Sequence, residues 1–180
     1  MHVIFWILSQ DHYNLVQYKN HIASAFHTNH FKGLSQSMYM TSTDGHTDEE
    51  IRKIYNFKNI AVVGMSRDPA KAAHFVPKYM IEMGYNVIPV NPSAAEILGR
   101  RTYSRVSDIK AEVDIVDVFR PSEDVYPVVE DSIKKPGIRV IWLQEGIHNS
   151  SAEKIAQESN IDFVFNRCIM AEHMRLFNDD

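Results

Sequence analysis

Five short runs of mostly apolar residues constrain the fold of this chain more than any other feature. They cover residues 60–63, 87–90, 113–119, 140–143 and 163–165. A strand that is apolar along its length, instead of alternating with polar residues, is covered on both faces, as in a parallel sheet. The runs therefore predict five buried parallel strands.

Helix-like stretches separate these runs. Thr47-Asp-Glu-Glu is a capping box that predicts a short helix ending by Phe57. Apolar residues at helical spacing between Phe75 and Met83 predict a second helix, and Pro77, which suits a first turn, places its start near Ala73. Further helices are expected at 122–135 and 150–159. This alternation predicts an α/β fold, a Rossmann-like three-layer α/β/α arrangement that binds ligands at the carboxyl ends of its strands.

The first part of the chain has a different composition. Residues 1–46 carry six histidines and show neither helical nor alternating periodicity, so we expect a poorly ordered extension before a ligand-binding domain at 47–180. Met38 and Met40 precede a polar linker and are candidate translation starts. The histidines at 21, 27 and 30 do not have the spacing of usual ligand pairs, so no metal site is expected.

Charge and cysteine content exclude several classes. A net charge of -4 gives no broad positive field, so nucleic acid and acidic membranes are not expected partners. The apolar stretch at 3–8 is too short to span a bilayer and lacks the features of a secretory signal. The single cysteine, Cys168, allows neither an intrachain disulfide nor a multi-thiolate zinc site, which favours the reducing cytoplasm.

The loop after the first strand has the features of an anion site. It runs from Gly64 to Lys71 and leads into a helix, whose first amides and dipole favour a phosphate. Gly64 would allow a ligand to approach closely, Ser66 offers a hydroxyl, and Arg67 and Lys71 offer two positive charges. An ordinary turn with solvated charges remains the alternative.

Two departures from dinucleotide sites argue against NAD. Gly64 is not followed by the second and third glycines of the G-x-G-x-x-G fingerprint. The second strand ends in Val90-Asn91-Pro92, where an acidic residue would bind the ribose hydroxyls of NAD. Another phosphate-bearing nucleotide is therefore expected, with coenzyme A the first candidate.

Five segments resemble the single-domain CoA-binding protein family in order and spacing. They are Ile-Ala-Val-Val-Gly-Met-Ser at 60–66, Tyr-Asn-Val-Ile-Pro-Val-Asn-Pro at 85–92, Val-Asp-Ile-Val-Asp-Val-Phe-Arg-Pro at 113–121, Trp-Leu-Gln-Glu-Gly at 142–146 and Asn-Arg-Cys at 166–168. The family is in turn similar to the CoA-binding domain of the succinyl-CoA synthetase alpha subunit. The resemblance implies a Rossmann-like fold and a bound CoA or acyl-CoA.

The resemblance and the strand ends together give a set of candidate ligand contacts. The resemblance implies that the loop holds the CoA phosphates, that 90–92 lines the nucleotide cleft and that 144–146 borders the pantetheine arm. Strand and helix ends add a phosphate contact for Arg120 and His74 and a packing surface at Phe119. The full set is Gly64, Met65, Ser66, Arg67, Lys71, His74, Val90, Asn91, Pro92, Phe119, Arg120, Pro121, Gln144 and Glu145.

No catalytic constellation is evident in the sequence. The synthetases carry their phosphorylated histidine in a following domain that this chain lacks, and His74, His148 and His173 lie beside no nucleophile motif. Cys168 could form a mixed disulfide with the CoA thiol, although a small buried filler is the stronger interpretation. We expect a non-catalytic protein that binds CoA or an acyl-CoA. The alternatives are a subunit of a split acid-thiol ligase, an NAD-linked oxidoreductase, or a sensor that reports CoA to a protein partner or to a second copy of the chain.

Overall fold

The computed structural model describes residues 44–177. Histidines 21, 27 and 30 and methionines 38 and 40 lie outside the described residues, and the extension predicted at 1–46 stays a prediction. Within residues 44–177, no helix is long and apolar enough to cross a bilayer.

A five-stranded parallel sheet forms the centre of the fold, as the apolar runs predicted. Its strands lie in the order β2-β1-β5-β6-β7. They are β1 (Asn59–Val63), β2 (Asn86–Val90), β5 (Ile115–Val118), β6 (Val140–Leu143) and β7 (Asp162–Val164). All side chains of β5 and β6 are buried, because helices cover both faces of the sheet.

Five helices form the outer layers of this α/β Rossmann-like fold. They are α1 (Asp48–Ile54), α2 (Ala72–Glu82), α3 (Val125–Ser132), α4 (Ser150–Glu158) and α5 (Ile169–Phe177). Helix α2 packs against α5, and α3 packs against α4. The capping box of α1 is confirmed: the Glu50 amide donates to Thr47 Oγ1 and the Thr47 amide donates to Glu50 Oε2.

A small hairpin between β2 and β5 was not predicted from the sequence. Its strands, β3 (Glu96–Ile97) and β4 (Arg100–Arg101), have two residues each and pair antiparallel. Leu98 and Gly99 join them with φ values of 50° and 69°, the left-handed turn that such a tight connection requires. After the hairpin, Tyr103 pairs with Val90 and so extends the edge of the sheet beyond β2.

An ion-pair network holds the segment before α1 against the end of β7. Arg167 Nε and Nη2 donate to the two carboxylate oxygens of Asp44 at 2.9 and 2.8 Å, and Nη2 also donates to the His46 carbonyl. The side chain of Asp44 has no solvent exposure. Residues 44–46 thus make defined contacts with the domain, although the sequence placed them in the extension.

Candidate functional site

The candidate site lies where the order of the strands reverses. The chain runs from β1 outward to β2 and then returns to β5 on the other side of β1, so the carboxyl ends of β1 and β5 border a crevice. Parallel sheets bind ligands at such switch points. Two lobes of one cleft open here, and both are lined by Gly64, Asn91 and Ser93.

The larger lobe, which we call the loop lobe, is lined by the loop between β1 and α2. Its volume is about 500 Å³. Seven of the predicted contacts line it: Gly64, Met65, Ser66, Arg67, Lys71, Asn91 and Phe119. The other lining residues are Asp68, Ala73, Ser93 and Ala94.

Backbone donors remain available in this lobe. The amides of the lining residues Met65, Arg67 and Ala73, and that of the neighbouring Ala72, donate no hydrogen bond to a described residue. The last two belong to the first turn of α2, which contains no acidic side chain. Free amides and the positive end of a helix dipole together stabilise a bound anion. The loop therefore offers the kind of donors that phosphate sites use.

Pro77 shapes this loop in a way that the sequence did not indicate. Helix α2 begins at Ala72, one residue before the predicted start, so Pro77 is in the second turn, and its expected place in the first turn was wrong. A proline within a helix cannot donate to the carbonyl four residues earlier. That carbonyl, on Ala73, instead accepts from the Ser66 amide at 2.9 Å. The proline thus frees an acceptor that fixes the loop.

The Ser66 side chain is oriented by the same loop. Its Oγ accepts from the Asp68 amide at 3.1 Å, which leaves the hydroxyl proton available to a ligand. Arg67 and Lys71 are exposed beside it, and Asp68 is the one acidic residue that lines the lobe. The two cations outnumber the one carboxylate, so the lobe carries a net positive charge.

The fold requires glycine at position 64 whether or not a ligand is bound. Its φ of +86° lies in the left-handed region, which a side chain disfavours. A Cβ at this position would lie 3.2 Å from both the Phe119 carbonyl oxygen and Arg120 Cδ. The close approach that the sequence assigned to a ligand is thus already made by the end of β5.

Asn91 and His74 brace the loop through their side chains. Asn91 Nδ2 donates to the Met65 carbonyl at 2.8 Å, and Asn91 Oδ1 accepts from the Ser93 amide at 2.8 Å. His74 Nδ1 lies 2.8 Å from the Ser66 carbonyl, which can only accept, so the proton is on Nδ1. Asn91 borders both lobes, whereas His74 lies behind the loop and lines neither.

The smaller lobe, which we call the valine lobe, has a volume of about 340 Å³. Its walls combine aliphatic and polar side chains, and three predicted residues that do not line the loop lobe, Val90, Pro92 and Arg120, are part of it. Arg120 Nη2 donates to Asp124 Oδ2 at 2.5 Å. The complete lining is Val63, Gly64, Val90, Asn91, Pro92, Ser93, Ser104, Arg120 and Val128.

The remaining predicted residues lie outside both lobes. Gln144 is buried and its Nε2 donates to Asp117 Oδ1 at 2.6 Å, while Glu145 is exposed. Pro121 is exposed before a 3-10 turn, Ser122–Asp124. Cys168 is half-buried, and its carbonyl accepts from the Glu172 amide in the first turn of α5.

Asp117 is a buried acid that the sequence analysis missed. It lies within β5, where it pairs with Val62 of β1 on one side and Trp142 of β6 on the other, and Asp117 is 1% exposed. Burial raises its pKa to about 7, against the lowering effect of hydrogen bonds from Gln144 and the Val118 backbone. A carboxylate within an otherwise apolar run was the available signal. Phe119, which comes two residues later and directly after β5, lines the loop lobe.

Loops close the rest of this sheet edge. The Ser122 hydroxyl accepts from the His148 amide, and the Ser122 carbonyl accepts from Asn149 Nδ2. Asn166 Oδ1, after β7, accepts from the Gly146 amide at 2.8 Å. These bonds connect the loops that follow β5, β6 and β7, whereas both described lobes lie near β1, β2 and β5.

Comparison with known proteins agrees with this architecture. A family model described as a CoA binding domain matches residues 58–174, which include both lobes. This chain belongs to the CoA-binding domain family. The resemblance predicted from the five sequence segments is therefore confirmed.

Relatives of this CoA-binding domain protein include small chains and much larger ligases. An uncharacterized protein, YneT, of Bacillus subtilis is 38% identical over 125 residues, which are 69% of this chain and 92% of that protein. A hypothetical protein from Pyrococcus horikoshii OT3 is 45% identical in structural alignment, with a TM-score of 0.72 over 74% of this chain and 94% of that chain. The alpha subunit of an ADP-forming acetate–CoA ligase of Pyrococcus furiosus is 34% identical over 97 residues, which are 51% of this chain but 21% of the subunit.

Several cleft residues of this CoA-binding domain protein were absent from the sequence prediction. Ser93 and Ala94 directly follow the predicted segment 90–92, so a longer segment after β2 would have included them. Ser104 and Val128 come from the segment after the hairpin and from α3, neither of which the carboxyl ends of the strands indicate. The sequence held no signal for these two positions.

Proposed function

We propose that this chain binds coenzyme A or an acyl-CoA in the two-lobed cleft and catalyses no reaction on its own. The observation that carries the proposal is the loop lobe, which is lined by three residues with free amides, Met65, Arg67 and Ala73, by Ser66 with its hydroxyl, and by the cations Arg67 and Lys71. Such a set of donors suits a pyrophosphate. Membership of the CoA-binding domain family supports CoA as the nucleotide that carries it.

The geometry of Asn91 supports CoA over NAD. Both polar atoms of this side chain are engaged by the Met65 carbonyl and the Ser93 amide. NAD sites use an acidic side chain at this strand end to bind two ribose hydroxyls. Asn91 supplies no negative charge, and its Oδ1 already accepts from the Ser93 amide, so the ribose of NAD would lack its usual carboxylate partner.

The proposal that the chain catalyses no reaction on its own is based on the residue types that line the cleft. Among residues 44–177, those that line the two lobes include no histidine or cysteine. His173 of α5 lines neither described lobe: its Nδ1 contacts Tyr79 Oη of α2, and burial lowers its pKa. Small relatives of nearly the same length as the domain, such as the Bacillus subtilis protein, are consistent with a domain that acts without the other parts of a ligase.

Titration calorimetry of the whole protein with CoA, acetyl-CoA, NAD and ATP tests the proposal. We expect heat with CoA or acetyl-CoA and none with NAD. Replacing Lys71 by Ala removes a charge-assisted contact worth about 1 to 3 kcal/mol, which corresponds to a roughly 5- to 150-fold loss of affinity. Lys110→Ala is the matched control, because Lys110 is exposed before β5, at the opposite edge of the sheet. Equal affinity in Lys71→Ala and the control would locate the phosphate elsewhere.

A second function follows from the relatives that are ligases. The Pyrococcus furiosus ligase subunit contains a region similar to this chain, so a role as one subunit of a split acyl-CoA ligase is a specific alternative. It requires a protein partner that supplies nucleotide-dependent chemistry. Mixing the chain with a candidate partner subunit and measuring the formation of ATP, free CoA and acetate from acetyl-CoA, ADP and phosphate would separate the two. CoA binding with no turnover in any such mixture would favour the non-catalytic function.

A further inference from the structure

A carboxylate is already bound to the arginine of the valine lobe. Arg120 directly follows Phe119 at the end of β5, and its Nη2 donates to Asp124 Oδ2 at 2.5 Å. The two side chains are 49% and 44% exposed, so both remain accessible to a ligand. Asp124 is the last residue of the 3-10 turn that leads into α3.

The stem of Arg120 is held at the junction of the two lobes. A Cβ on Gly64 would lie 3.2 Å from Arg120 Cδ, so the arginine passes directly over this glycine. Gly64 lines both lobes. The stem therefore places the guanidinium group of Arg120 near the junction of the two lobes.

The charges of the two lobes differ because of this pair. In the loop lobe the cations outnumber the carboxylate. In the valine lobe Arg120 is the one charged residue among the described lining residues, and Asp124 neutralises it. An incoming phosphate meets the full charge of Arg120 only if it competes with the carboxylate of Asp124.

We propose that Asp124 limits the affinity of the cleft for a phosphate group by pairing with Arg120 when no ligand is bound. The inference rests on the proposed function, since it concerns the phosphates of the same ligand. One oxygen of Asp124 engages one nitrogen of Arg120, so the other guanidinium N–H groups can still reach a phosphate. The carboxylate competes with that phosphate for the guanidinium group, so Asp124 acts as a residue that determines how tightly the cleft binds a phosphate.

If Asp124 instead helped Arg120 to bind the ligand, replacing Asp124 would change the affinity for CoA in the opposite direction. If the carboxylate served to orient Arg120 toward the ligand, removing it would weaken binding. If it competes with the ligand, removing it strengthens binding. Exposed ion pairs contribute up to about 1 kcal/mol, which sets the expected gain in affinity at about three- to fivefold.

Calorimetric titration of the whole protein with CoA tests this inference in four proteins. They are the wild type, Asp124→Asn, Arg120→Ala and the double variant. We expect Asp124→Asn to bind CoA about three- to fivefold more tightly and Arg120→Ala to bind more weakly. In the Arg120→Ala background, Asp124→Asn should change the affinity less than twofold, because the competing pair no longer exists.

Glu123→Gln is the matched control. Glu123 precedes Asp124 in the same 3-10 turn, is exposed, and forms no ion pair with a described residue, so this substitution changes the net charge equally. An equal gain in Glu123→Gln would mean that overall charge explains the effect and would overturn the inference. Unchanged or weaker CoA binding in Asp124→Asn would overturn it as well. Circular dichroism establishes that each variant is folded.

Dephospho-CoA, which lacks the 3′-phosphate, identifies the group that competes with Asp124. A gain that persists with this ligand assigns Arg120 to the pyrophosphate, and a gain that disappears assigns it to the 3′-phosphate. Both outcomes support the competition. Binding of CoA by none of the proteins would overturn the proposed function and this inference with it, whereas wild-type binding without a gain in Asp124→Asn would overturn the role of Asp124 alone.

Discussion

Replacing Asp117 by Asn should remove a large pH dependence of folding stability. Asp117 is 1% exposed and receives one side-chain hydrogen bond, from Gln144. Burial raises its pKa from 3.8 to about 7. Between these values the folded protein keeps a proton that the unfolded chain has released, so stability falls as the pH rises through this window and levels off above about 7.

The magnitude follows from the width of the window. Each pH unit within it costs about 1.36 kcal/mol, so a rise from pH 5 to the folded pKa near 7 costs the wild type about 2.7 kcal/mol. Asparagine carries no titrating proton and is nearly the same size. Any cost of its amide group is equal at both pH values, so Asp117→Asn should gain about 2.7 kcal/mol relative to the wild type between pH 5 and pH 8.

Urea denaturation at several pH values, followed by the fluorescence of buried Trp142, measures this difference. Ser132→Ala is the control, because Ser132 is also buried and polar, donates to the Val128 carbonyl, and does not titrate in this range. Its cost should be the same at pH 5 and pH 8. A relative gain below about 1 kcal/mol for Asp117→Asn would show that the folded state stabilises the ionised carboxylate, and the reasoning from burial would fail.

Two further variants test the contacts that shape the domain. Gly64→Ala should lower the free energy of unfolding by at least about 1 kcal/mol and weaken CoA binding, because φ is +86° and the new Cβ would lie 3.2 Å from the Phe119 carbonyl oxygen; unchanged stability in chemical denaturation would contradict this. Arg167→Met should cost about 2 to 3 kcal/mol at pH 7, because it leaves the unexposed Asp44 carboxylate without its cation. Although burial opposes the effect, hydrogen bonds from His46 and Arg167 hold the pKa of Asp44 well below its usual range. This stability is present above pH 4 and lost as the pH falls further, so the cost of Arg167→Met should shrink in acid, and a constant cost would refute the argument.

The fold could be predicted because burial on both sheet faces leaves a direct mark on the sequence. The strand at 140–143 has the predicted bounds, and β1 and β2 each begin one residue earlier than the apolar runs. The hairpin β3–β4 left no such mark, since strands of two residues are too short to show a period. Its Leu98-Gly99 turn was the one local signal.

The candidate site was predictable only in part, for reasons that differ between residues. The loop from Gly64 to Lys71 follows a buried strand, and the end of a strand can be located from the sequence. The pair of Arg120 and Asp124 was also accessible, because residues four apart near a helix start are often neighbours. By contrast, Asp44 and Arg167 are separated by 123 residues, and only the folded chain brings them together.

The side chains that brace the loop determine how the cleft can recognise a ligand. Ser66 is fixed by the Ala73 carbonyl, which Pro77 leaves free, and the polar atoms of Asn91 and one ring nitrogen of His74 are engaged by the protein. The Ser66 amide, Asn91 Nδ2 and His74 Nδ1 therefore position the loop, whereas the Ser66 hydroxyl proton stays available to a ligand. Recognition in the loop lobe falls to the fixed backbone amides and this hydroxyl, which donate hydrogen bonds, and to exposed cations, which supply charge. Because the amides are already in place before binding, little ordering of the backbone is required when the ligand arrives, and substitutions of the bracing residues should act on affinity through the shape of the loop.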